Sequence, residues 1–462
     1  LTGTTPDLCD VLINTKGTFN DYPGSPFRTL MINDPTFATN TTSQRFGTKT
    51  LIGCGELRST GGTSAVENLI IATGGTYSDN DQGGTVEITG DFTTSGGLIG
   101  KSALTFDETA QSNKVAIPDD STLDLTTAAT LMAWIKIPTD AGSKQKIISK
   151  SYQAYEMGVH AGQLNVYFGT DGTGGWDYLQ YAGVDLRDGK WHHVAATFDN
   201  ANTIVKLYID GKYVASKTSA VNFQNKSSDL SIGFRADGTT TNNDSWMDGE
   251  IAVASVWNTV LTKAQIRSKI FSDFASLDSN TGCVAFYQFD EGSGTAVADS
   301  TSNNNDGTAS SSSLWVGAGT FTKGTSTIDM TGNGTVGIAG GVTSFNNLKV
   351  AASGKTTTLS VLAGSSDIRF HGTLTHGGGT ANSSGNPAWT MRGSSTVSAG
   401  SDWTGWYLCY WESSVAVPTA SWKYWLALTD CTLAGDMTCT GYFRPHQSVV
   451  TFAGYTVTTH EA

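Results

Sequence analysis

The sequence predicts an all-β protein in which a compact β-sandwich is inserted between segments of β-repeats. Short β-branched and aromatic runs alternate with polar residues and end at Gly, Asn, Asp or Ser along most of the chain. Glycine is abundant, with 54 residues, and charged residues make up only 15% of the sequence. Similar segments lie on either side of a middle region, which indicates that the middle region interrupts a repeat.

Strand-like runs are clearest in the middle region, where alternation places every second side chain on one face of a sheet. These runs are KVAIP (114–118), TLMAWIKI (130–137), IVKLYIDG (204–211) and IAVASVW (251–257). One short helix is predicted near 262–275. Thr262 can cap this helix, and Ile266, Ile270 and Phe274 recur at helical spacing.

The flanking segments resemble each other across the middle region. Residues 63–76 and 343–356 each contain an Asn-Leu pair that opens an alternating strand, and a Gly/Thr turn follows. Such units cannot bury a face alone, and stacking them into a β-helix-like solenoid or a packed sandwich solves that problem. We therefore divide the chain into an N-terminal β-rich repeat (1–99), a sandwich (100–309) and a C-terminal β-rich repeat with an aromatic-rich assembly segment (310–462).

The charge balance excludes two classes of partner. The formal net charge is −13, so nucleic acids and anionic membranes would repel the chain. No stretch approaches the roughly 20 apolar residues of a membrane span. The sequence begins at Leu1 without a visible signal peptide, so we expect either removal of an N-terminal segment or a start inside the gene product.

Six cysteines are spread along the chain without a Cys-x-x-Cys pair, so a zinc site is not expected. Two interpretations remain open. One is a set of disulfides, with Cys9–Cys54 and one pair among Cys409, Cys431 and Cys439. The other is buried free thiols that act as small apolar residues.

Several motifs of the middle region occur in the order found in one known family. The most specific are DLRDGKWHHVAATFD (185–199) and KLYIDGKYVA (206–215), preceded by LTFDETAQSNKVAIPDDSTLDL (104–125). On these motifs the region resembles the laminin-G-like and pentraxin-like superfamily of concanavalin A-like jelly rolls. The resemblance implies that residues 100–309 form a two-sheet sandwich.

A loop rich in Asp, Asn and Gly also resembles this family. GCVAFYQFDEGSGTAVADSTSNNNDGTA (282–309) is similar to a segment that usually precedes such sandwiches, and related domains often hold a structural calcium ion near it. Carboxylate and carbonyl oxygens suit calcium. The resemblance thus implies a calcium site formed by Asp107, Asp299, Asn303 and Asn305. The alternative is an Asx-rich turn without an ion.

The sequence contains no catalytic motif that we recognise. His192 and His193 are adjacent on a predicted strand, so they face opposite sides of the sheet and cannot share one substrate. Glucanases of this fold that retain configuration need two carboxylates about 5 Å apart, and no acidic run with suitable alternation occurs. No nucleophile elbow, zinc-protease motif or phosphate loop occurs either. We predict a non-enzymatic protein in which both histidines are structural.

Two loops of the predicted sandwich combine aromatic residues with Asn, Asp and Gly: GTDGTGGWDYLQY (169–181) and ADGTTTNNDSWMD (236–248). Long loops of a sandwich often carry function, and aromatic platforms beside amides and carboxylates suit sugars. The candidate glycan-binding residues are Trp176, Asp177, Tyr178, Tyr181, Asn243, Asp244 and Trp246. The alternative is that these aromatic residues anchor the loops or pack on a neighbouring subunit.

The segment 403–426 is unusually aromatic, and such density marks either a core or an interface. Because turns built from small residues offer few large cavities to fill, we predict a subunit interface. Its candidate residues are Trp403, Trp406, Trp411, Trp422 and Trp425.

The flanking segments are similar in composition to Gly/Thr/Ser-rich β-repeats of phage virion proteins and large bacterial surface proteins. GTSTIDMTGNGT followed by TSFNNLKV carries this resemblance. It implies a virion surface or structural protein (a capsid decoration, fibre or tail-associated protein) that forms homo-oligomers or binds other virion proteins, and that binds host glycans. The alternatives are a bacterial or archaeal cell-surface adhesin and a secreted polysaccharide-active enzyme. The expected location is the virion surface or the extracellular or cell surface.

Overall fold

A computed structural model shows that the chain folds into two compact units. The sandwich unit spans Gly96–Val316, and the solenoid unit combines Leu1–Ser95 with Gly317–Ala462. The residues that the structure describes are 9–13, 27–38, 49–58 and, with short gaps, 63–235 and 246–459. Nearly all described elements are strands, which confirms the all-β prediction. In the described ranges, no helix has the length and apolar character needed to cross a bilayer.

The strands are numbered in chain order. Before the sandwich lie β1–β8: Cys9–Ile13, Phe27–Ala38, Lys49–Arg58, Thr63–Val66, Asn68–Ile71, Gly75–Ser78, Thr85–Ile88 and Phe92–Thr94. The sandwich contains β9–β23: Leu104–Phe106, Val115–Ile117, Ala128–Lys136, Lys144–Ser149, Tyr155–His160, Gln163–Gly169, Trp176–Tyr181, Trp191–Asp199, Ile204–Ile209, Lys212–Thr218, Leu230–Ile232, Gly249–Trp257, Cys283–Tyr287, Ala296–Val297 and Gly307–Ala309. Helix α1, between β20 and β21, spans Lys263–Lys269. After the sandwich lie β24–β39: Thr320–Thr322, Thr327–Met330, Gly334–Phe345, Asn347–Val350, Thr356–Phe370, Thr373–His376, Thr380–Ser384, Ala388–Gly393, Thr396–Val397, Trp406–Ser413, Ala420–Ala427, Cys431–Thr432, Met437–Cys439, Phe443–Pro445, Val450–Thr451 and Val457–Thr459.

The sandwich unit consists of two antiparallel sheets around one core. The first sheet has eight strands in the order β15-β14-β13-β12-β19-β10-β23-β22. The second has seven, in the order β18-β17-β16-β11-β20-β21, with β9 also paired to β20. All strand pairs described in these sheets are antiparallel. Buried apolar residues of both sheets form one continuous cluster, as a sandwich requires.

The alternation predicted for the central strands is confirmed. In β11, Leu131, Ala133 and Ile135 are buried in the shared core. In β16, Val194 and Ala196 lie directly opposite Ala133 and Leu131 and are buried in the same core. The two strands therefore place every second residue inward, and the residues between them face the other side of the sheet.

The Asp-Gly pair that ends the run IVKLYIDG joins β17 to β18, as the preference of this pair for a hairpin turn predicts. Both residues have positive φ, 52° at Asp210 and 69° at Gly211, as a two-residue hairpin turn requires. The space is also tight, because a Cβ on Gly211 would lie 2.7 Å from the Ile270 side chain. This turn fixes the position of the Asp210 carboxylate at one end of the sandwich.

The predicted helix is present but shorter. Its start is as predicted, since the Thr262 hydroxyl accepts the Gln265 N–H and the Gln265 side chain returns to the Thr262 backbone. α1 ends well before residue 275. At its end the Ser272 N–H donates to the Lys269 carbonyl at 3.1 Å, and further on Asp273 Oδ1 accepts the Ser276 N–H at 2.7 Å, so the chain continues in turns.

The segment 282–309 contributes to both sheets. β21 pairs with β20 in the seven-stranded sheet, whereas β22 and β23 form a hairpin beside β10 in the eight-stranded sheet. The two ends of the unit also meet, because the Val316 N–H donates to the Ala103 carbonyl at 3.0 Å and Leu104 bridges to Trp315. The unit therefore begins and ends at adjacent positions, as an inserted domain requires.

The solenoid unit is built from parallel strands. Every pairing described between its strands is parallel. One turn supplies β4, β5 and β6, and the next supplies β7, β8 and β24, which pair with them in that order. The sandwich is thus inserted inside a turn, between β8 and β24. This arrangement confirms the prediction of a solenoid interrupted by a sandwich.

A stack of aromatic rings runs through the solenoid core. Tyr77 stacks on Phe321 with ring centroids 5.5 Å apart, and Phe321 lies 5.2 Å from both Phe92 and Phe345. Phe345 continues the stack to Phe370 at 6.1 Å. The stack includes residues from both sides of the insertion, so it joins the two parts of the chain into one core. The expectation that such turns offer little room for large side chains is wrong for this part of the solenoid.

A second ladder is made of side-chain oxygens at the bends. Asn68 Oδ1 accepts the Asp91 N–H at 2.9 Å, and Asp91 Oδ1 accepts the Thr335 N–H at 2.7 Å on the following turn. Asn347 Oδ1 accepts the Thr373 N–H at 2.8 Å in the same manner. Each of these side-chain oxygens thus accepts a backbone N–H of the next turn that the hydrogen bonds between strands do not pair.

The sequence repeat does not coincide with the structural repeat. Asn68 opens β5 in the large sheet, whereas Asn347 opens β27 in a separate six-stranded sheet. The two segments look alike because each contains a bend followed by a ladder asparagine. They occupy different sides of the solenoid, so the sequence alignment of 63–76 with 343–356 is displaced by one strand.

Candidate functional site

One edge of the eight-stranded sheet presents aromatic residues to solvent. β15 is that edge strand, and its sequence WDYLQY alternates between two faces. Leu179 lies in the core, whereas Trp176 and Tyr178 on the other face are 49% and 47% exposed. Exposed rings of this size at a sheet edge are a candidate binding surface.

A carboxylate braces the glycine-rich loop that leads into β15. Asp171 Oδ1 accepts the backbone N–H groups of Thr173, Gly174 and Gly175 at 2.8 to 3.0 Å. These hydrogen bonds lower the pKa of Asp171. Trp176 follows this braced turn directly, so its position is set by the turn.

A third ring completes the cluster. Tyr167 of β14 lies opposite Tyr178 in the strand register. Its ring centroid is 5.7 Å from that of Trp176 and 5.9 Å from that of Tyr178. We call Tyr167, Trp176 and Tyr178 the aromatic surface. Because its rings stand on adjacent strands, the backbone ladder sets their spacing.

Cations border this aromatic surface. Lys146 Nζ lies 5.5 Å and Arg235 Cζ lies 5.8 Å from the ring centroid of Tyr167. Lys217 Nζ lies 5.3 Å from the ring centroid of Tyr178. Such contacts contribute about 0.5–1 kcal/mol each at exposed sites and restrict the rings further.

Glu156 anchors two of these cations beside Tyr167. Its side chain is 1% exposed and accepts hydrogen bonds from Lys146 at 2.6 Å, from Arg235 at 2.9 and 3.1 Å, and from the Ser149 hydroxyl at 2.9 Å. Burial alone would raise the pKa of Glu156, but Lys146 and Arg235 outweigh burial and hold that pKa below its ordinary value. The carboxylate therefore stays charged and fully bonded, which suits a fixed support and not a catalytic acid.

A buried amide lies beside the rings. Asn165 is 3% exposed and precedes Tyr167 by two residues, so both lie on the same face of β14. Its Nδ2 has no hydrogen-bond partner among the described atoms. An unpaired buried donor costs about 1–3 kcal/mol, so an acceptor supplied here would be held firmly. Sequence reasoning missed Asn165 and Tyr167, although alternation in QLNVYFG places both opposite the core residues Leu164 and Val166.

Two predicted glycan-binding residues, Asp177 and Tyr181, lie away from the aromatic surface. Asp177 accepts hydrogen bonds from Lys217 at 2.6 Å and from the Ser219 hydroxyl at 2.9 Å, which ties the edges of the two sheets together. Tyr181 packs against the core. Both lie on the face of β15 opposite the aromatic surface, because successive strand residues alternate. They do not belong to this surface.

The second predicted loop adds no exposed ring. Trp246 is buried, and its ring centroid lies 4.2 Å from that of Phe234. This tryptophan anchors the end of its loop instead of presenting a platform, which was the alternative considered for it. Asn243 and Asp244 lie outside the described residues.

Asp299, the centre of the predicted calcium site, is engaged by protein donors. Its buried carboxylate accepts the backbone N–H groups of Phe286, Thr301 and Asn305 at 2.9 to 3.0 Å. It also accepts the Thr301 hydroxyl at 2.7 Å. A calcium ion bound to these oxygens would compete with the backbone N–H groups and the hydroxyl that they already accept.

The other predicted calcium ligands are also engaged. The amides of Asn303 and Asn305 donate to the Val284 carbonyl at 2.9 and 2.8 Å, and Asp107 accepts the N–H and hydroxyl of Thr109. In the described part of the chain, no group of three or more His, Cys, Asp or Glu is arranged to hold a metal. The residues therefore fit an Asx-type turn better than a calcium site, and calcium stays a prediction.

The two histidines occupy opposite faces, as their spacing predicts. His192 Nδ1 lies 3.0 Å from Asp210 and Nε2 lies 3.2 Å from Asp188. Burial opposes the charge of His192, but the two carboxylates outweigh it and raise its pKa to about 9. His193 packs edge-on against Trp134 at 5.6 Å, and burial lowers its pKa to about 4. Each histidine is held by contacts within the fold, and the two face opposite sides of the sheet. They are therefore not placed to act together on one substrate.

The strand register separates the tryptophans predicted to form an interface. β33 and β34 are parallel neighbours in which Trp406 lies opposite Trp422. Trp411 lies opposite Ala427, and Trp425 lies opposite Cys409. Trp403 lies outside the described residues. The interface itself stays a prediction.

Comparison with known protein families finds a match within the sandwich. Residues 109–267 match the Concanavalin A-like lectin/glucanases superfamily. The match covers most of the sandwich unit and confirms the resemblance that the motifs predict. No curated protein matches the chain.

Part of the chain is also similar to solved structures. A putative carbohydrate binding protein from Bacteroides ovatus is 18% identical, with 45% of this chain and 57% of that chain covered and a TM-score of 0.37. The heptameric SAP-like pentraxin of Limulus polyphemus is 19% identical, with 36% and 83% covered and a TM-score of 0.24. Domains LG4-5 of the mouse laminin alpha1 chain are 19% identical, with 38% and 46% covered and a TM-score of 0.28. The matched regions thus span about half of the Bacteroides and laminin chains.

Proposed function

We propose that this is a non-enzymatic surface protein whose concanavalin A-like sandwich binds glycans at the aromatic surface. One observation carries the proposal: three neighbouring rings, two of them about half exposed, lie beside a buried amide that has an unpaired donor. Binding sites of this kind combine apolar contact area with a few fixed polar groups.

The chemistry of a sugar ring matches this arrangement. A pyranose has an apolar C–H face that packs on an aromatic ring, and Trp176 and Tyr178 offer such rings. Its hydroxyl oxygens accept hydrogen bonds, and the Asn165 amide has a donor for one of them. The rings are already held by neighbouring strands and cations, so little conformational entropy is lost on binding.

A polysaccharide-cleaving enzyme is the second candidate for a domain of this superfamily. Retaining cleavage needs two carboxylates about 5 Å apart on the substrate side. Beside the aromatic surface, Glu156 is bonded to Lys146, Arg235 and Ser149, and Asp177 lies on the opposite face of β15. Binding without cleavage therefore agrees better with these positions.

We further propose that the solenoid unit is a stem or base that presents the sandwich at a virion surface, as a capsid decoration, fibre or tail-associated protein. Stacked turns, each contacting only its neighbours, form rigid supports. A bacterial or archaeal surface adhesin built from the same parts is the alternative. Mass spectrometry separates the two: recovery of the protein in purified virions supports the first, and recovery only in cell-envelope fractions overturns it.

Glycan binding is tested by truncating the exposed rings. We expect the full-length protein to bind members of a panel of immobilised polysaccharides and oligosaccharides. Trp176→Ala and Tyr178→Ala should each weaken binding at least tenfold, because truncation of a central aromatic residue costs 2 kcal/mol or more. Titration calorimetry with the best ligand of the panel measures the change.

Tyr213→Ala is the matched control, because this tyrosine is 44% exposed but lies on β18 of the other sheet. It should bind like the parent, and Asn165→Ala should weaken binding with the Trp176 ring intact. The proposal fails if the parent binds no glycan, or if Trp176→Ala and Tyr178→Ala bind as the parent does.

Calcium is tested separately. Since the oxygens of Asp299 are already bonded within the loop, we expect EDTA to leave the melting temperature of the sandwich unchanged. A clear drop that is restored by added calcium would instead support an ion at Asp107, Asp299, Asn303 and Asn305.

A further inference from the structure

Three buried polar side chains lie together on the face of the eight-stranded sheet that points away from the core. They are Lys146 of β12, Glu156 of β13 and Asn165 of β14, on three consecutive strands. The residues that alternate with them, such as Met157 and Val166, lie in the core, so Glu156 and Asn165 point the other way. Lys146 shares their face, because its Nζ donates to Glu156 Oε1 at 2.6 Å.

Gly158 of β13 lies between the lysine and the amide. The strand register places Lys146 opposite Gly158 on one side and Asn165 opposite Gly158 on the other. Since glycine has no side chain, this position of the middle strand leaves the space between Lys146 and Asn165 open. A Cβ here would overlap the Gln145 carbonyl oxygen. The Cα atoms of Lys146 and Asn165 are two strand spacings, about 9–10 Å, apart, which a four-carbon lysine stem and an asparagine side chain can span together.

The surroundings of the three groups favour a reaction between them. Burial lowers the pKa of Lys146 and outweighs the opposing effect of Glu156, so the ammonium proton is easier to remove and the amine becomes a better nucleophile. Burial opposes the charge of Glu156, but Lys146 and Arg235 keep its pKa below the ordinary value, so a carboxylate is present to accept that proton. The Asn165 Nδ2 has no hydrogen-bond partner among the described atoms, so no described contact holds this nitrogen in place.

We propose that Lys146 and Asn165 join in an intramolecular isopeptide bond, which the folded chain forms by itself with Glu156 as the proton carrier. The proposal assigns a covalent cross-link to these residues and goes beyond glycan binding. Either can fail without the other, because the linked amide keeps one N–H, and glycan binding needs one donor at this position.

The step balances in atoms and charge. The Lys146 ammonium gives one proton to the Glu156 carboxylate, and the neutral Nζ attacks Asn165 Cγ. The Cγ–Nδ2 bond then breaks, and Nδ2 leaves as ammonium with two protons that Nζ has lost, one of them carried by Glu156. Glu156 is charged before and after the step, and no oxidant, reductant or further reactant is needed. The folded sheet holds the reacting groups together and so replaces an encounter in solution.

The bond ties β12 to β14 across β13, beside the edge strand β15 that carries two rings of the aromatic surface. A cross-link stabilises a fold mainly by restricting the unfolded chain. An amide does so in any redox environment, whereas disulfides persist in oxidising ones. The cross-link therefore keeps the strand of Tyr167 next to its neighbours when the edge of the sheet opens locally.

The mass of the denatured full-length protein tests the proposal. We expect an intact mass that is lower than the sequence mass by one ammonia, and protease digestion should release one branched peptide in which Lys146 is joined to Asn165. Lys146→Arg keeps a cation beside Glu156, but its guanidinium stays protonated and is not a nucleophile. This variant should have the full sequence mass, no branched peptide and a lower melting temperature of the sandwich. A parent with the full sequence mass overturns the proposal, whether or not any variant folds.

Two further variants separate the reaction from general damage to the sheet. Glu156→Gln keeps the lysine and the amide but removes the proton carrier, so its chain should stay unlinked. Gln180→Ala is the matched control, because Gln180 lies opposite Asn165 on β15 and its amide donates to the His160 carbonyl at 2.9 Å. It should form the link as the parent does. Loss of ammonia that persists in Lys146→Arg, a branched peptide joined at other residues, or a Glu156→Gln chain that links as fully as the parent contradicts the proposal.

Discussion

The two units of this protein use the same kind of strand in opposite ways. In the sandwich, antiparallel strands bring together residues far apart in sequence, such as Val115 and Ala309, and each core position is different. In the solenoid, parallel strands repeat the same contact from turn to turn, as the rings from Tyr77 to Phe370 and the Asn68–Asp91–Thr335 ladder do. Strand composition alone therefore does not decide which architecture forms.

This difference in packing predicts how each unit responds to the loss of a buried side chain. A sandwich core is shared by all strands, so loss of one buried residue should weaken the whole unit at once. A solenoid is held by contacts between neighbouring turns, so loss of one residue should weaken mainly the turns beside it. The following predictions separate these behaviours.

The largest effect is expected from paired core truncations. Phe198→Ala in the sandwich and Phe345→Ala in the solenoid each remove a buried ring that contacts two other rings, and each should cost about 3–5 kcal/mol. In calorimetry, Phe198→Ala should shift the sandwich transition without broadening it, and Phe345→Ala should lower and broaden the solenoid transition. If either variant moves both transitions equally, the two units form one cooperative structure.

A smaller effect is expected from the pH dependence of the sandwich. The folded pKa of His192 is about 9 against an ordinary value of 6.5. Its stabilising contribution, on the order of 3 kcal/mol, is therefore complete below about pH 6.5 and is lost as the pH rises through 9. Urea unfolding of the sandwich should show this loss in the parent, and the loss should be absent in His192→Gln.

His193 should act in the opposite direction. Its folded pKa of about 4 lies below the ordinary value, because the buried ring resists protonation. The unfolded chain takes up this proton more readily, so the folded state loses stability as the pH falls from about 6.5 towards 4. In His193→Gln, the loss of folding stability over this acidic pH range should be smaller than in the parent. Stability that does not change across either pH range in the parent would contradict the assigned surroundings of both histidines.

The smallest effect is expected from the solenoid ladder. Asn347→Ala removes the acceptor of the Thr373 N–H and the donor to the Thr327 hydroxyl, and it should cost about 1–2 kcal/mol because two hydrogen bonds are lost at a bend. Asn346→Ala, one residue earlier, is the control. Denaturant midpoints of the solenoid transition measure both, and equal losses would show that the ladder position has no special role.

Local sequence signals predicted the sandwich well. The WHHVAATF alternation, the Asp210-Gly211 turn and the Thr262 cap each depend on a few neighbouring residues, and the structure confirms all three. Properties that depend on pairing across strands were not predictable. Glu156 is enclosed by groups from two other segments, and the aromatic surface needs Tyr167 from a strand that the loop analysis did not include.

In the solenoid, too, the sequence showed a local feature but not its place in the fold. The Asn-Leu pairs were recognisable because a bend needs the same ladder residue wherever it occurs, but they could not reveal which side of a turn each bend belongs to. The loop of Asp299 was interpreted through family resemblance as a calcium site. Its carboxylate accepts hydrogen bonds from three backbone donors, which only the folded loop brings together.

The insertion between β8 and β24 also has a consequence during synthesis. Chain elongation at about 5–20 residues per second separates Thr94 from Thr320 by on the order of ten to forty seconds. Throughout that interval, β6 lacks the parallel neighbour that β24 later supplies. The rings of Tyr77 and Phe92 also lack their contacts with Phe321, which has not yet been synthesised. The sandwich, whose strand pairs all lie within its own segment, can fold during the delay. Growth of the solenoid then resumes on an edge that has been in place since before the sandwich was made.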